Sequence, residues 1–221
     1  QGPDTSLASF NLGPDKEDII PMIQAAQALE DDLLIIASPW TAPPFMKDNN
    51  DWFGGKLKPE FYSTWAEYFV KYHQAMANEG IDIWGYTVEN EPLGNDGNWE
   101  SMHFTPLEMA AFIKNDLGPN FRKNEIDAAI LTYDQNRGEE LEEWAEVLLK
   151  DSALLPYIHG TAVHWYTSTY DWFPESLNHT HSLAPNKAII QTEACVDAEV
   201  PHWNDDAWYW KREATDWGYD W

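Results

Sequence analysis

Apolar runs and helical periods alternate along the chain. Residues 15–30 place Ile19, Ile20, Ile23, Ala26 and Gln27 at helical spacing, with Pro21 inside the pattern. Leu33, Leu34, Ile35, Ile36 and Ala37 then form a short continuous apolar run, the mark of a strand buried on both faces. A long Pro-, Gly- and Asn-rich stretch follows over residues 38–58, and that length inside a domain points to a functional loop. Phe61, Trp65, Tyr68, Phe69, Tyr72 and Met76 lie on one stripe of a predicted helix, with Gly80 as its C-cap. Residues 81–88 read as the second strand. Thr105-Pro106-Leu107-Glu108 reads as a capping box opening a helix that Gly118-Pro119 is predicted to end. Residues 128–133 are the third strand, and Leu141, Trp144, Val147 and Leu148 mark the next helix. Residues 161–164 and 188–192 bring the strands to five.

Strands alternating with helices, with long connections after the strands, predict an α/β fold on a parallel sheet. Two architectures satisfy that pattern: an open doubly wound sheet and a (β/α)8 TIM barrel. No Gly-rich phosphate turn follows any strand, which weighs against a dinucleotide-binding sheet. Polar and aromatic residues instead gather just past the strand ends, the positions that form the active face of a barrel.

Charge narrows the function. The 221 residues hold 13 Lys+Arg against 38 Asp+Glu, a net charge of -25. Such a chain repels phosphate, which excludes nucleic acid as a partner and disfavours anionic membrane surfaces. No run of 18 apolar residues is present, so stable membrane insertion is not expected. The single cysteine, Cys195, permits neither an internal disulfide nor a Cys-based zinc site, and a small residue filling a tight gap is its plainest role. The start, Gln1-Gly2-Pro3-Asp4-Thr5, carries no initiator Met and no hydrophobic leader, the pattern of a processed or truncated piece. Thirteen tryptophans stand out. Each one singly reads as core, but aromatic faces left open stack on sugar rings.

The strand ends supply the chemistry. The second strand runs into Glu89-Asn90-Glu91-Pro92. Strict alternation puts Glu89 and Glu91 on one face and Asn90 on the other, so Asn90 and Glu91 reach one site only if the strand bulges or turns. The alternative is a solvated acidic loop start. The fifth strand ends in Glu193, where burial of an unpaired carboxylate is costly; the alternative there is an ion pair with Lys or Arg. The fourth strand ends in His164-Trp165-Tyr166, with His164 and Tyr166 sharing a face, although His164 alone reads equally well as a hydrogen-bonded core histidine. The third ends near Asp134-Gln135-Asn136 and the first at Ser38-Pro39-Trp40. Together these form an acidic and aromatic cup suited to glycoside cleavage.

Ser38-Pro39-Trp40-Thr41-Ala42-Pro43, Asn90-Glu91-Pro92, His164-Trp165-Tyr166 and Glu193-Ala194-Cys195, in that order, resemble the family 30 glycoside hydrolases, in particular the glucosylceramidase-like branch. The resemblance runs from about residue 9 to residue 196. It implies that residues 1–221 are a partial (β/α)8 catalytic domain, about strands three to seven, whose partner is the remainder of a parent chain. It implies Glu91 as general acid/base and Glu193 as nucleophile. It further implies that Asn90 contacts the sugar 2-hydroxyl, that Trp40, His164 and Tyr166 line the sugar site, and that Asp134 sits at its rim. No metal or organic cofactor is implied. The substrate is expected to be a carbohydrate or glycolipid, and the parent protein to be secreted or periplasmic.

In a retaining reaction of this kind one carboxyl attacks the anomeric carbon while the other protonates the leaving oxygen. Glucosylceramide, β-1,6-glucan and β-xylosides are all substrates within the branch. Two other classes compete. A non-catalytic carbohydrate-binding fragment would use the aromatics without the glutamates. A calcium module is hinted at by Asp48-Asn49-Asn50-Asp51, but Trp52 falls where a calcium loop wants a ligand. Asn178-His179-Thr180 is a glycosylation sequon that chance explains, and residues 203–221, rich in Trp and acids, are expected to pack over the upper rim.

Overall fold

Five parallel strands, paired in the order in which they occur in the chain, carry the fold. The computed structural model describes residues 4–94, 97, 99–168 and 171–194. The strands are β1 (Ile35–Ala37), β2 (Ile83–Thr87), β3 (Ala129–Asn136), β4 (Gly160–His164) and β5 (Ala188–Glu193), in sheet order β1-β2-β3-β4-β5. All four pairings are parallel. A doubly wound sheet reverses its strand order at a switch point, whereas a barrel never does. The order is therefore that of an incomplete (β/α)8 barrel.

Helix α1 (Ile19–Gln27) precedes the first strand, and the helices between the strands are α2 (Tyr62–Asn78), α3 (Pro106–Phe112), α4 (Gly118–Lys123), α5 (Glu139–Leu148) and α6 (Pro174–Leu183). Helix α1 is shorter than its periodicity predicts. It starts at Ile19, which puts Pro21 in the first turn, where a missing N–H costs no hydrogen bond. Helix α2 buries Trp65, Ala66, Phe69, Val70 and Met76. Its Phe69 ring meets Tyr86 of β2 at 5.6 Å and Phe121 of α4 at 6.5 Å. Gly80, at φ +79°, ends it as predicted: its N–H donates to Ala77 O and that of Ile81 to Met76 O, both at 3.0 Å. The Thr105–Glu108 capping box is present in both directions.

Gly118-Pro119 does not end the third helical segment. A π-helical turn, Ile113–Leu117, follows α3, and α4 continues through Pro119 to Lys123. Widening the turn ahead of Pro119 accommodates a residue that cannot donate, so the helix passes instead of stopping. Gly118 is needed for space. A Cβ there would lie 2.3 Å from the Tyr157 ring and 2.9 Å from Ile113 O. Helix α6 escapes the sequence pattern because its buried residues are Ser176 and Thr180, which give no apolar period.

β1 is not buried on both faces as its apolar run suggests. It is an edge strand of the described sheet, and Leu33 and Leu34 are exposed. β5, at the other edge, is also only half-buried. No described helix is long and apolar enough to cross a membrane. The stretch after the second strand's predecessor, residues 38–58, is folded back on itself by a bridge between Lys47 and Leu57. Asp48, Asn49 and Asp51 spend their side chains on backbone groups of that turn and do not converge on an ion. Among the described residues only the exposed Glu30, Asp31 and Asp32 cluster closely enough to resemble a metal site. The sequon's Thr180 is buried in α6. Cys195 and residues 196–221 lie outside the described residues.

Gly118→Ala in the full-length protein should cost about 1–3 kcal/mol in chemical denaturation, the usual scale of overpacking. Part of that loss should vanish in a Tyr157→Ala background; strictly additive costs would show that the ring contact is not the cause.

Candidate active site

Two β-bulges build the site. Between β3 and β4 the register slips at Asp134, where Tyr133 and Asp134 adopt φ +74° and +59°. Between β4 and β5 it slips at Thr192, because Val163 pairs with Gln191 while His164 pairs with Glu193. Each bulge turns an extra residue toward the strand between them. The two residues meet there: the Thr192 hydroxyl donates to Asp134 Oδ1 at 2.5 Å. Asp134 Oδ1 also lies 3.1 Å from His164 Nε2.

The glutamates arrive from either side. β2 ends at Thr87, and Glu91 takes φ +49°, the local turn that lets Asn90 and Glu91 serve one region. The Glu91 N–H donates to Asp134 O at 3.0 Å, and the Asn90 N–H to Pro39 O at 2.8 Å. Glu91 Oε1 is 3.4 Å from His164 Nδ1, and Glu193 Oε2 is 3.9 Å from His164 Nε2. Tyr166 donates its hydroxyl to Glu193 Oε1 at 3.0 Å, and its own N–H is held by Asn136 Oδ1 at 2.8 Å. One imidazole therefore touches both glutamates.

That imidazole is 1% exposed and surrounded by three carboxyl groups. Burial alone would lower its pKa, but hydrogen bonds with Asp134 and Glu91 and the charges of Asp134 and Glu193 outweigh it and push the value up to about 9. His164 thus sits as a cation at neutral pH, in the middle of the acids.

Predicted site residues divide into two layers. Glu91, Glu193 and Tyr166 reach solvent, and Trp40, 41% exposed, stands after β1 with its ring edge-on to Trp99. Asn90 is almost buried beside Glu91. Asp134 is not at a rim: the bulge draws it inward until it is 1% exposed, beneath His164. His164 likewise lies under the cup instead of lining its surface. Three further residues contribute, of which Asn136 and Glu89 stood among the strand-end polar groups without a role of their own and Thr192 carried no signal. Thr192 points away from Glu193 under strict alternation, and only the bulge reverses that. Asn136 acts through its side-chain oxygen, which accepts the backbone N–H of Tyr166. Glu89 is fully buried, and neither carboxyl oxygen has a hydrogen-bond partner among the described residues. Burial pushes its pKa well up and the charge of Asp134 adds to this, while Lys47 works against both.

One cavity among the described residues, about 450 Å³, holds none of these acids. It opens on the outer flank of β1 and is walled by apolar groups such as Ile23, Ile35, Trp65 and Met76. A smaller cleft beside Trp40 lies on the same end of the sheet as the carboxyls.

A family model described as the glycosyl hydrolase family 30 TIM-barrel domain matches residues 2–218. The chain belongs to this family. Within family 30 it is 37% identical over 206 residues to the lysosomal acid glucosylceramidase of Mus musculus, covering 89% of this chain and 40% of that protein. It is 30% identical over 210 residues to an endo-1,6-beta-D-glucanase of Aspergillus fumigatus, covering 88% of this chain and 42% of that one. SrfJ from Salmonella typhimurium superposes with a TM-score of 0.81 at 31% identity, over 91% of this chain and 46% of its own. The chain thus spans less than half the length of these family 30 relatives.

Two titrations should be separable by stability measurements on the full-length protein. Glu89 holds a proton in the fold that the unfolded chain gives up above pH 4.5, so it costs stability as pH rises from there; Glu89→Gln should flatten that slope. His164 has a folded pKa of about 9 against 6.5 unfolded, so its contribution is complete below 6.5 and lost as pH passes 9. His164→Gln should remove the dependence between those values. Urea titrations at pH 5, 7 and 9 check both, and unchanged slopes in either variant would refute the corresponding assignment.

Proposed function

We propose that the protein carrying this chain is a retaining β-glycosidase that cleaves β-glucosidic bonds by double displacement. Residues 1–221 form part of its catalytic domain, and the remainder of the parent chain covers the open flank of β1. The observation that carries the reading is the shared imidazole: Glu91 and Glu193, 102 positions apart by 193 − 91, both contact His164. Among the described residues the ion pair of Glu193 is with His164, which supports this reading over a structural pair with Lys or Arg.

Glu193 acts as nucleophile. Its carboxylate oxygen bonds to the anomeric carbon as the bond to the leaving oxygen breaks, and Glu91 passes its proton to that oxygen. Water then gives a proton to Glu91 and attacks the same carbon, releasing Glu193 and returning the anomeric configuration to its starting sense. Tyr166, bonded to Glu193, steadies the nucleophile. Asn90 and Trp40 contact the sugar. His164 and Asp134 are positioning residues: His164 fixes both acids, and Asp134 fixes His164. Neither step requires a metal or an organic cofactor.

The relatives support a glucose unit on the cleaved side, with a glucosylceramide-like glycolipid or a β-1,6-glucan as substrate. A glucosylceramide substrate would place the activity in sphingolipid breakdown. A secreted or periplasmic protein fits both substrates, which lie outside the cytoplasm or in lysosome-like compartments.

Glu193→Ala in the full-length protein should lower kcat on a β-glucoside by more than about 10³-fold, an effect of nucleophile loss. Added azide should restore turnover and yield the α-glucosyl azide. Turnover retained without azide would rule out Glu193 as nucleophile. Sugar binding by the wild type with no hydrolysis would favour the binding-fragment reading.

A further inference from the structure

We propose that Lys47, on the loop after β1, is a positioning residue for Glu91: it pins that loop to the segment clamping the turn that presents the acid. The inference rests on the glycosidase reading above. Lys47 is completely buried. Its Nζ donates to Trp52 O at 3.1 Å and, across 54 positions of sequence, to Ser101 O at 2.8 Å. Burying an ammonium is costly unless hydrogen bonds replace its water, and an apolar side chain of similar length would fill the space without that cost. Filling space therefore does not explain a lysine here, whereas joining two loops does.

Backbone groups extend the join on either side of the ammonium. The Ser101 N–H donates to Trp52 O at 3.1 Å, the Gly54 N–H to the Ser101 hydroxyl at 3.0 Å, and the His103 N–H to Gly55 O at 2.8 Å. Trp52 O thus accepts from both Lys47 and Ser101. At the far end of the segment, the buried Phe104 packs on Phe112 of α3 with ring centroids 6.1 Å apart.

From this segment the contacts run directly to the acid. The Phe104 N–H donates to Pro92 O at 2.9 Å, one residue past Glu91. The His103 ring lies against Gly94, where a Cβ would fall 2.1 Å from it. The turn is closed by the Gly94 N–H on Glu91 O at 2.7 Å, with left-handed angles at both ends, φ +49° at Glu91 and +83° at Gly94. Such an angle at a glutamate is strained and persists only where the surroundings impose it. The sheet does so on one side, through the Glu91 N–H on Asp134 O, and residues 101–104 do so on the other. The Lys47 charge also reaches Glu89, two residues before Glu91, where it opposes the effect of burial on that carboxyl. Without the pin, the turn keeps the sheet behind it and loses the support of its second wall.

The test compares kcat/KM in the full-length protein on β-glucosyl fluoride, whose fluoride departs without a proton, and on an alkyl β-glucoside, whose alkoxide needs one. Glu91→Ala sets the scale: loss of the general acid should cost the alkyl glucoside about 10²-fold more than the fluoride. Lys47→Met should shift the same ratio in the same direction by about tenfold, the scale of a slightly misplaced reacting group. Equal losses on the two substrates in Lys47→Met would mark a merely structural role and overturn the assignment, as would an unchanged ratio. Should Lys47→Met fail to fold, Ser101→Ala, which deletes the Gly54 bond, decides. A shift of about threefold in the same direction, the scale of one hydrogen bond partly transmitted, upholds the pin, and no shift refutes it. If the wild type cleaves neither substrate, or Glu91→Ala leaves the ratio unchanged, the glycosidase reading fails instead. Amide hydrogen exchange then decides the pin alone. In whichever of the two variants folds, the Gly94 and Phe104 amides should exchange about tenfold faster while those of β4 keep their wild-type rates. Unchanged exchange at Gly94 and Phe104, or a uniform acceleration throughout, refutes it.

Discussion

A buried, positively charged imidazole among three carboxyl groups is the interaction on which the site depends. Acids gathered this closely repel one another, and no lysine or arginine stands among them in the described structure. His164 supplies the compensating charge and, through its two ring nitrogens, fixes where the acids sit. A buried cation of this kind is tolerated only while its partners remain in place. The partners in turn are in place because the sheet is irregular at two points. Regular pairing would send Asp134 and Thr192 to the wrong face, and the residues at the β3 bulge accept left-handed backbone angles to avoid that.

Around this centre the molecule assigns its aromatic residues to two jobs. Trp65, Trp144 and the Phe69–Tyr86–Phe121 group fill the layer between helices and sheet. Trp40 and Trp52 stay open at the strand ends. Glu89 belongs to neither scheme. It is a carboxyl placed in the interior at a cost to stability, directly behind the turn that presents Glu91, and that cost falls beside the acids and not in the helical layer.

Much of this was readable from the chain. Continuous apolar runs located all five strands, because each lies against helices or neighbouring strands, and the residues just past them located Glu91 and Glu193. The strand-and-helix rhythm could not choose between a barrel and a doubly wound sheet; sheet order did that. Alternation failed where the backbone broke its own period. It left Thr192 facing away, and the family resemblance put Asp134 at a rim, since a bulge leaves no mark in residue type. It also missed α6, whose buried face is Ser176 and Thr180, and stopped a helix at Gly118-Pro119 that a widened turn carries onward. Lys47 was invisible as a structural element because nothing in the sequence distinguishes a buried lysine from a solvated one.

Sequential pairing has a consequence for how the molecule comes into being. Each strand docks on the one synthesised just before it, so the sheet can extend in step with translation, without waiting for distant segments. Glu91 enters with the second strand and His164 with the fourth, but Glu193 comes at the end of the fifth. Under the proposed mechanism the nascent chain therefore carries the proton donor, and the imidazole that orients it, before the attacking group is made.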